Sequence, residues 1–236
     1  MFFLLILVAS CSRVQALDHS LCSDNATRCL SINGRLSAEH LDHLETRIDE
    51  IETIVVNSKG GPVGVAAKIA RLIMENELNL VVEGYCSSAC AEYLMTAAKS
   101  VYAVNAPVIG VHGNPIIDEM VYRSQSDRPI THCEWPARST LSYIYAQNGL
   151  SDRFHEEQIS RLRISKLFFD RTPDGCIYKL DLRMGIRQWL PTSEQLSDLL
   201  GVDIIGEVCA DKAACISREF KNKGRLCIWG NEEIPC

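Results

Sequence analysis

The hydrophobic pattern of the first half of the chain predicts a repeated strand–helix order. Residues 30–36 alternate apolar and polar side chains, as a half-buried strand does, and residues 51–58, 80–84 and 106–112 form short apolar runs that also predict strands. Between these strands, apolar residues recur at helical spacing, which predicts amphipathic helices. Repeated strand–helix units with apolar strands imply an α/β fold, in which a largely parallel sheet is flanked by helices.

The helices of this first half can be placed from their apolar faces. Ser37 can cap the first helix, in which Leu41 and Leu44 share one face. Residues 63–75 and 89–99 predict the second and third helices. Because the ligand site of such a sheet lies at the carboxyl ends of its strands, the ends of the predicted strands are where functional residues are expected.

The pattern is weaker in the second half of the chain. Residues 113–136 predict a loop-like run, whereas residues 137–147 and 152–169 predict packing helices. Residues 189–205 predict a segment that begins with an aromatic residue, Trp189, and continues with a helix start and a final strand. Beyond residue 206, the cysteine-rich tail shows little apolar periodicity, so we expect disulfides to hold it.

The turn between the third strand and the helix that follows it carries a candidate nucleophile, Ser88. A serine at this point lies among the N–H donors of a helix N-terminus, and its small neighbours leave room for a substrate carbonyl. The alternative is that the serine only caps the helix by accepting a hydrogen bond from an unpaired backbone N–H group.

Two other strand ends supply candidate partners for Ser88. Gly60 and Gly61 follow the second strand, and paired glycines let the backbone approach a ligand and direct N–H groups at it, as an oxyanion hole requires. His112 ends the fourth strand, twenty-four residues after Ser88, and is a candidate general base. A lone histidine at a strand end is, however, more often structural than catalytic.

Taken together, these stretches resemble a known family. They are Asn-Ser-Lys-Gly-Gly at residues 57–61, Gly-Tyr-Cys-Ser-Ser-Ala at residues 84–89, and the strand at residues 108–112. In order and spacing they resemble the Clp protease proteolytic subunit and its crotonase-fold relatives, and the cysteines beside the serine are most similar to predicted periplasmic members with a Cys-x-Ser-Ala-Cys motif. The resemblance implies a Clp protease/crotonase-like fold, with Ser88 as nucleophile, His112 as base, and the N–H groups of Gly61 and Ala89 as oxyanion donors.

The third member of a catalytic triad has no matching residue. In the Clp subunit, the orienting aspartate stands two residues before the aromatic residue that corresponds to Trp189, and this chain has Arg187 there. The nearest acids upstream are Asp181 and Asp174, and a Ser–His dyad without an acid is the alternative.

Composition and charge narrow the classes of function. A chain of 236 residues with 47% hydrophobic composition can bury one sizeable core, so we expect a single domain with appendages. A formal net charge of −6 provides no basic surface for a phosphate backbone, which argues against a nucleic-acid partner. We expect a signal peptide at residues 1–16, an N-terminal arm held by a disulfide at 17–30, the Clp protease/crotonase-like core at 31–206 and the cysteine-rich tail at 207–236.

The N-terminus predicts export. Residues 1–16 combine an apolar run with Val14-Gln15-Ala16, a small-residue cleavage site, which predicts a signal peptide and a periplasmic or secreted protein. Residues 8–11 also resemble a lipobox, so a lipoprotein anchored through Cys11 is the alternative. No later apolar run is long enough to span a membrane.

The chain has eleven cysteines, and ten remain once Cys11 is removed with the signal peptide. An even number in an exported chain predicts disulfides. The candidates are Cys22, Cys29, Cys86, Cys90, Cys209, Cys215, Cys227 and Cys236. Cys22 and Cys29 form the simplest local pair.

If Cys86 and Cys90 bond each other, we expect their Cα separation to be near the upper end of the range that disulfides tolerate; separate partners for the two are the alternative. A zinc site at these two cysteines and His112 is disfavoured, because a second pair at metal-ligand spacing is absent.

The sequence therefore predicts an exported serine hydrolase, a peptidase that acts on peptides or proteins by acyl transfer and needs no metal or other cofactor. No ATPase partner is expected, because the chain lacks a P-loop pattern and ATP is scarce outside the cytoplasm. Assembly into a homo-oligomer stays open. The alternative function is a non-catalytic periplasmic binding or assembly protein on the same fold. A crotonase that uses coenzyme A is disfavoured because export separates it from that cofactor.

Overall fold

The structure, a computed structural model, describes residue 22 and residues 28–125, 135–148, 152–171, 177–184, 188–209 and 226–235. The predicted signal peptide with Cys11, the candidate acid Asp174, Arg187, and the tail cysteines Cys215 and Cys236 lie outside these residues. Within the described ranges, no helix combines the length and the apolar composition that a membrane crossing needs.

A five-stranded parallel sheet forms the centre of the molecule. Its strands are β1 (Cys29–Asn33), β2 (Thr53–Ser58), β3 (Asn79–Ser87), β4 (Val101–Gly110) and β8 (Ile204–Ile205). They are hydrogen-bonded in the order β1-β2-β3-β4-β8, and each neighbouring pair is parallel. The predicted α/β class with a parallel sheet flanked by helices is confirmed.

Helices connect the first strands of the sheet, as predicted. Helix α1 spans Ala38–Thr46, α2 spans Val63–Glu75, and α3 is a π-helical segment, Cys90–Met95. Helix α2 begins and ends where its periodicity predicts, because its small and apolar residues Ala66, Ile69, Ala70 and Ile73 form one buried face. Ser37 is the N-cap residue of α1, but its Oγ contacts His40 Nδ1 at 3.0 Å rather than a backbone N–H.

The remaining elements lie in the second half of the chain. The helices are α4 (Pro115–Gln125), α5 (Trp135–Gln147), α6 (Asp152–Arg161) and α7 (Ser193–Leu200). The strands β5 (Ile164–Arg171) and β6 (Ile177–Met184) form an antiparallel pair, and β7 (Trp189–Leu190), β9 (Leu226–Trp229) and β10 (Glu232–Pro235) form a three-stranded sheet. Because β9 pairs with β7, and Trp189 Nε1 donates to the Gly230 carbonyl at 3.1 Å, the described part of the tail packs on the core.

Two predictions for this half are wrong. Residues 113–136 are not a continuous loop, because α4 forms there with its N-terminus capped by Asn114, whose Oδ1 accepts from the Ile116 and Ile117 N–H groups at 3.0 and 3.2 Å. The helix predicted at residues 152–169 ends at Arg161, since Arg163 has a φ of +50° and the β-branched and aromatic residues after it favour a strand.

Disulfides form as predicted in the described part of the chain. Cys22 is bonded to Cys29 with a Cα–Cα distance of 5.7 Å, and Cys86 is bonded to Cys90. Cys209 and Cys227, from the tail, are also disulfide-bonded. Such bonds are compatible with an extracellular or periplasmic location.

Candidate functional site

Ser88 occupies a sharp turn between β3 and α3. Strand β3 continues to Ser87, three residues beyond its predicted end, so Ser88 alone makes the turn. Its φ is +58°, its N–H donates to the Gly110 carbonyl at 2.9 Å, and its carbonyl accepts from Glu92 N–H at 2.9 Å. A non-glycine residue with positive φ is uncommon and marks local strain. A strained strand–turn–helix with a serine at the bend is also the arrangement that exposes a nucleophile in hydrolases.

The disulfide between Cys86 and Cys90 spans this turn. Its Cα–Cα distance is 5.2 Å, well inside the usual disulfide range, so the expectation of a separation near the upper end is wrong. The distance is short because the positive φ of Ser88 turns the chain back on itself. The two sulfurs bond each other, which excludes the zinc site considered for them, and no group of three or more metal-binding side chains occurs among the described residues.

The glycine loop after β2 lies directly against the Ser88 turn. A Cβ atom on Gly60, whose φ is +89°, would lie 2.8 Å from Ser88 Cβ and 2.9 Å from Ala89 N. A Cβ on Gly61 would lie 2.7 Å from the Leu36 carbonyl oxygen. Both positions therefore need glycine, and the close approach brings the two predicted oxyanion donors, Gly61 and Ala89, to the same turn as Ser88.

Hydrogen bonds fix this glycine loop. The N–H of Gly60 donates to Ser58 Oγ at 3.1 Å, and its carbonyl accepts from Leu36 N–H at 3.0 Å. Strand β3 is bulged beside the loop, since Val56 and Ser58 of β2 align with Val82 and Cys86 of β3. Asn57 bridges the bulge, because its Oδ1 accepts from the Tyr85 N–H at 3.2 Å. The bulge and this bond place Tyr85 beside the glycine loop.

A cleft of about 590 Å³ opens at the carboxyl ends of β1, β2 and β3. The described residues that line it are Gly34, Arg35, Asn57, Lys59, Gly60, Gly61, Tyr85 and Ser88. The Lys59 ammonium lies 4.5 Å from the centroid of the Tyr85 ring, a cation–π distance. Ser88 and Gly61, which the sequence analysis selected separately, thus line one cleft.

The sequence analysis did not select Arg35 or Tyr85 as site residues. A usable signal was present for Arg35, which follows the Asn33-Gly34 turn at the end of β1. Because the carboxyl ends of parallel strands share one edge of a sheet, the residues after β1 belong at the same edge as Ser88.

His112 lies beside the Ser88 turn but outside the cleft lining. It follows Gly110, the residue whose carbonyl accepts from Ser88 N–H, by two positions and is partly buried. Val111, between them, exchanges two backbone hydrogen bonds of 2.9 Å with Trp189. His112 is not among the described residues that line the cleft. The fold thus brings the chain segments of the predicted nucleophile and base together at neighbouring strand ends.

A buried carboxyl that the sequence analysis missed, Glu92, lies behind Ser88. Its side chain is 1% exposed, and its Oε2 accepts from Asn114 Nδ2 at 2.8 Å, from the Tyr145 hydroxyl at 3.4 Å and from Gln158 Nε2 at 3.4 Å. Gly113, the residue after His112, also donates its backbone N–H to this carboxyl. Burial raises the pKa of Glu92 above its ordinary value, and these hydrogen bonds oppose the rise. The available signal was a glutamate inside an otherwise apolar helical run.

Of the two candidates for the third triad member, the structure describes the strand position of Asp181 alone. Asp181 lies in β6, where its Cα pairs with Phe168 of β5, and this strand pair is not part of the five-stranded sheet. Asp174 lies outside the described residues. Whether an acid orients His112 therefore stays a prediction.

No protein-family model matches the chain, and no curated protein matches it either. Any functional conclusion accordingly depends on the residues and geometry of the site.

Proposed function

We propose that the protein is an exported serine hydrolase of the Clp protease/crotonase type, a peptidase that cleaves peptides or proteins through Ser88. The observation that supports this most strongly is the Ser88 turn itself. Its positive φ aims a small polar side chain from a strand–helix bend into the cleft, and a glycine loop packs within van der Waals contact of that bend.

The proposed mechanism is acyl transfer. His112 takes the proton of the Ser88 hydroxyl while Ser88 Oγ attacks the scissile carbonyl carbon. The N–H groups of Gly61 and Ala89 stabilise the negative charge that develops on the carbonyl oxygen. Collapse of the tetrahedral intermediate breaks the scissile bond, and His112 returns the proton to the leaving amine. Water, deprotonated by His112, then hydrolyses the acyl ester and frees Ser88.

A second candidate is a non-catalytic binding protein that uses the same cleft. The position of His112 outside the cleft lining favours it, because a general base must come within hydrogen-bond reach of the proton it takes. In this case the cleft binds peptide without turnover.

A fluorophosphonate probe separates the two candidates, because it modifies only activated serines. We expect the purified protein to be labelled, with the adduct located on Ser88 by peptide mass spectrometry. Ser88→Ala should abolish labelling with little change in the thermal midpoint, since a hydroxyl at the surface of a cleft contributes little to packing. His112→Ala should lower the labelling rate by about two orders of magnitude or more, as loss of a general base does.

Ser87→Ala is the matched control. The neighbouring hydroxyl is buried and has no hydrogen-bond partner among the described residues, so its removal should leave the labelling rate unchanged. A parent protein that resists the probe, or a Ser88→Ala variant that still labels, would favour the binding protein.

A further inference from the structure

The cleft beside Ser88 is cationic in a protein that is acidic overall. The basic residues among the described residues that line it are Arg35 and Lys59, and none of the described lining residues is an aspartate or glutamate. The chain carries 30 acidic residues against 24 Lys and Arg residues, so a cleft lined by cations alone does not follow from the average surface. Such a local field attracts anionic groups into the cleft.

The two cations belong to the oxyanion loop and to the segment that is hydrogen-bonded to it. Arg35 follows β1, and Lys59 follows β2 and directly precedes the paired glycines. The hydrogen bond from Leu36 N–H to the Gly60 carbonyl, at 3.0 Å, ties the segment that carries Arg35 to the same loop. The Tyr85 ring, 4.5 Å from the ammonium, holds Lys59 along the cleft wall. A carbonyl held by the Gly61 N–H would therefore lie next to the segments that carry both cations.

We propose that the cleft selects substrates with a carboxylate on the residue that supplies the scissile carbonyl, that is, peptides cleaved after aspartate or glutamate. Cleavage of these peptides rests on the proposed function, whereas the selection of an acidic side chain is a property of the cleft alone. Arg35 can bind a carboxylate through two parallel N–H donors, whereas Lys59 acts as a point charge. Since both side chains are exposed, the selection is electrostatic and weakens as salt screens it.

Binding to the Ser88→Ala variant tests the selection without turnover. Two fluorescent peptides that differ only by aspartate or asparagine at one position have nearly the same shape and differ in charge. By fluorescence anisotropy at low ionic strength, we expect the aspartate peptide to bind about tenfold more tightly or better, as one desolvated charged contact provides. The preference should shrink severalfold between about 20 mM and about 500 mM salt.

Variants assign the selection to the two cations. Arg35→Gln combined with Lys59→Gln, in the Ser88→Ala background, should remove the preference for aspartate while leaving the circular dichroism spectrum unchanged. Lys68→Gln is the matched control, because Lys68 is an exposed lysine of α2 that does not line the cleft. It should keep the full preference. Equal affinities for the two peptides, no binding of either peptide, or a preference that survives the double variant would overturn the inference.

Hydrolysis of the same peptides by the parent protein separates this inference from the proposed function. Cleavage of both peptides at equal rates would contradict the selection and keep the hydrolase. Binding that prefers aspartate with no cleavage would contradict the hydrolase and keep the selection.

Discussion

The two sides of the Ser88 turn are built from opposite kinds of residue. The outer side, the cleft, consists of glycine backbone and the exposed cations Arg35 and Lys59. The inner side is a buried polar network around Glu92, which receives hydrogen bonds from Asn114 and Tyr145 among others. The outer side is open to a ligand, whereas the inner side excludes solvent and therefore fixes geometry.

The fold thus separates ligand recognition, on the outer side, from positioning of the nucleophile and base segments, on the inner side. Glu92 lies four residues after Ser88, and Asn114 lies two residues after His112, so their hydrogen bond of 2.8 Å joins the nucleophile segment to the base segment. Because both partners are buried, that bond is shielded from competing water. The cations of the outer cleft, Arg35 and Lys59, are exposed to solvent, so salt screens their attraction to a ligand.

The largest effect is expected from a substitution that pushes the glycine loop away from the Ser88 turn. Gly60→Ala would place a methyl group 2.7 Å from the Ser87 carbonyl oxygen and force a positive φ on alanine. We expect a loss of about 2 kcal/mol or more in the free energy of unfolding, measured by urea denaturation. Labelling by the fluorophosphonate should fall at least tenfold, because the oxyanion loop would shift away from Ser88.

Gly64→Ala is the control for this substitution. Gly64 lies in the first turn of α2, and a Cβ there would meet no atom within 4 Å. Alanine should therefore stabilise the helix by up to about 1 kcal/mol and leave labelling unchanged. A Gly60→Ala variant that labels as fast as the parent would show that the close contact of the two loops is irrelevant to the nucleophile.

An intermediate effect is expected from the disulfide between Cys86 and Cys90. It closes a loop of only a few residues, so by chain entropy it contributes about 2 kcal/mol to stability, whereas it directly restrains the turn that orients Ser88. Mild reduction should lower the labelling rate severalfold, while the thermal midpoint falls by no more than about 8 °C. The Cys86→Ser, Cys90→Ser double variant should label at that lower rate with or without reductant. A double variant that labels like the parent would assign the geometry of the turn to the backbone alone.

The parts of the fold that the sequence predicted are those with a strong period. Helix α2 was placed to the residue because alanines and isoleucines repeat on one face, and β2 and β3 were found as short apolar runs. The bounds predicted for the fourth strand, residues 106–112, are wrong, because β4 spans Val101–Gly110 and His112 follows its end by two residues. Helix α4 was missed because Pro115 suggests a turn, although proline suits a helix start. Strand β5 was missed because apolar residues at mixed spacing fit a helix and a strand about equally well.

The residues of the candidate site also differ in how well the sequence predicts them. Ser88 and Gly61 could be found because each lies in a local motif of small residues after a strand. Arg35 and Glu92 belong to no such motif, and their signals, a position after a strand end and a glutamate in an apolar run, do not show which residues they contact. The pairing of β1 with β2 brings Arg35 to the turn, and the pairing of β3 with β4 brings Asn114 to Glu92.

Glu92→Gln makes the smallest change in side-chain shape, and it tests the contrast between a cleft that responds to salt and a network that responds to pH. Burial raises the pKa of Glu92 in the folded state above the ordinary value of 4.5, so the folded protein favours the protonated carboxyl. This contribution to stability is complete below the unfolded pKa and is lost as the pH rises through the folded pKa. Glutamine has nearly the same shape and no charge, so the variant should lack this loss.

The measurement is the free energy of unfolding by urea at a series of pH values from about 4 to about 8. Relative to the variant, the parent should lose stability as the pH rises, by at most about 1.4 kcal/mol for each pH unit between the two pKa values. Glu45→Gln, an exposed glutamate on α1, is the control, and its curve should run parallel to that of the parent. If the Glu92→Gln curve also runs parallel to the parent, Glu92 does not titrate differently on folding, and the inner network would position the His112 segment by hydrogen bonds to a carboxylate that stays charged.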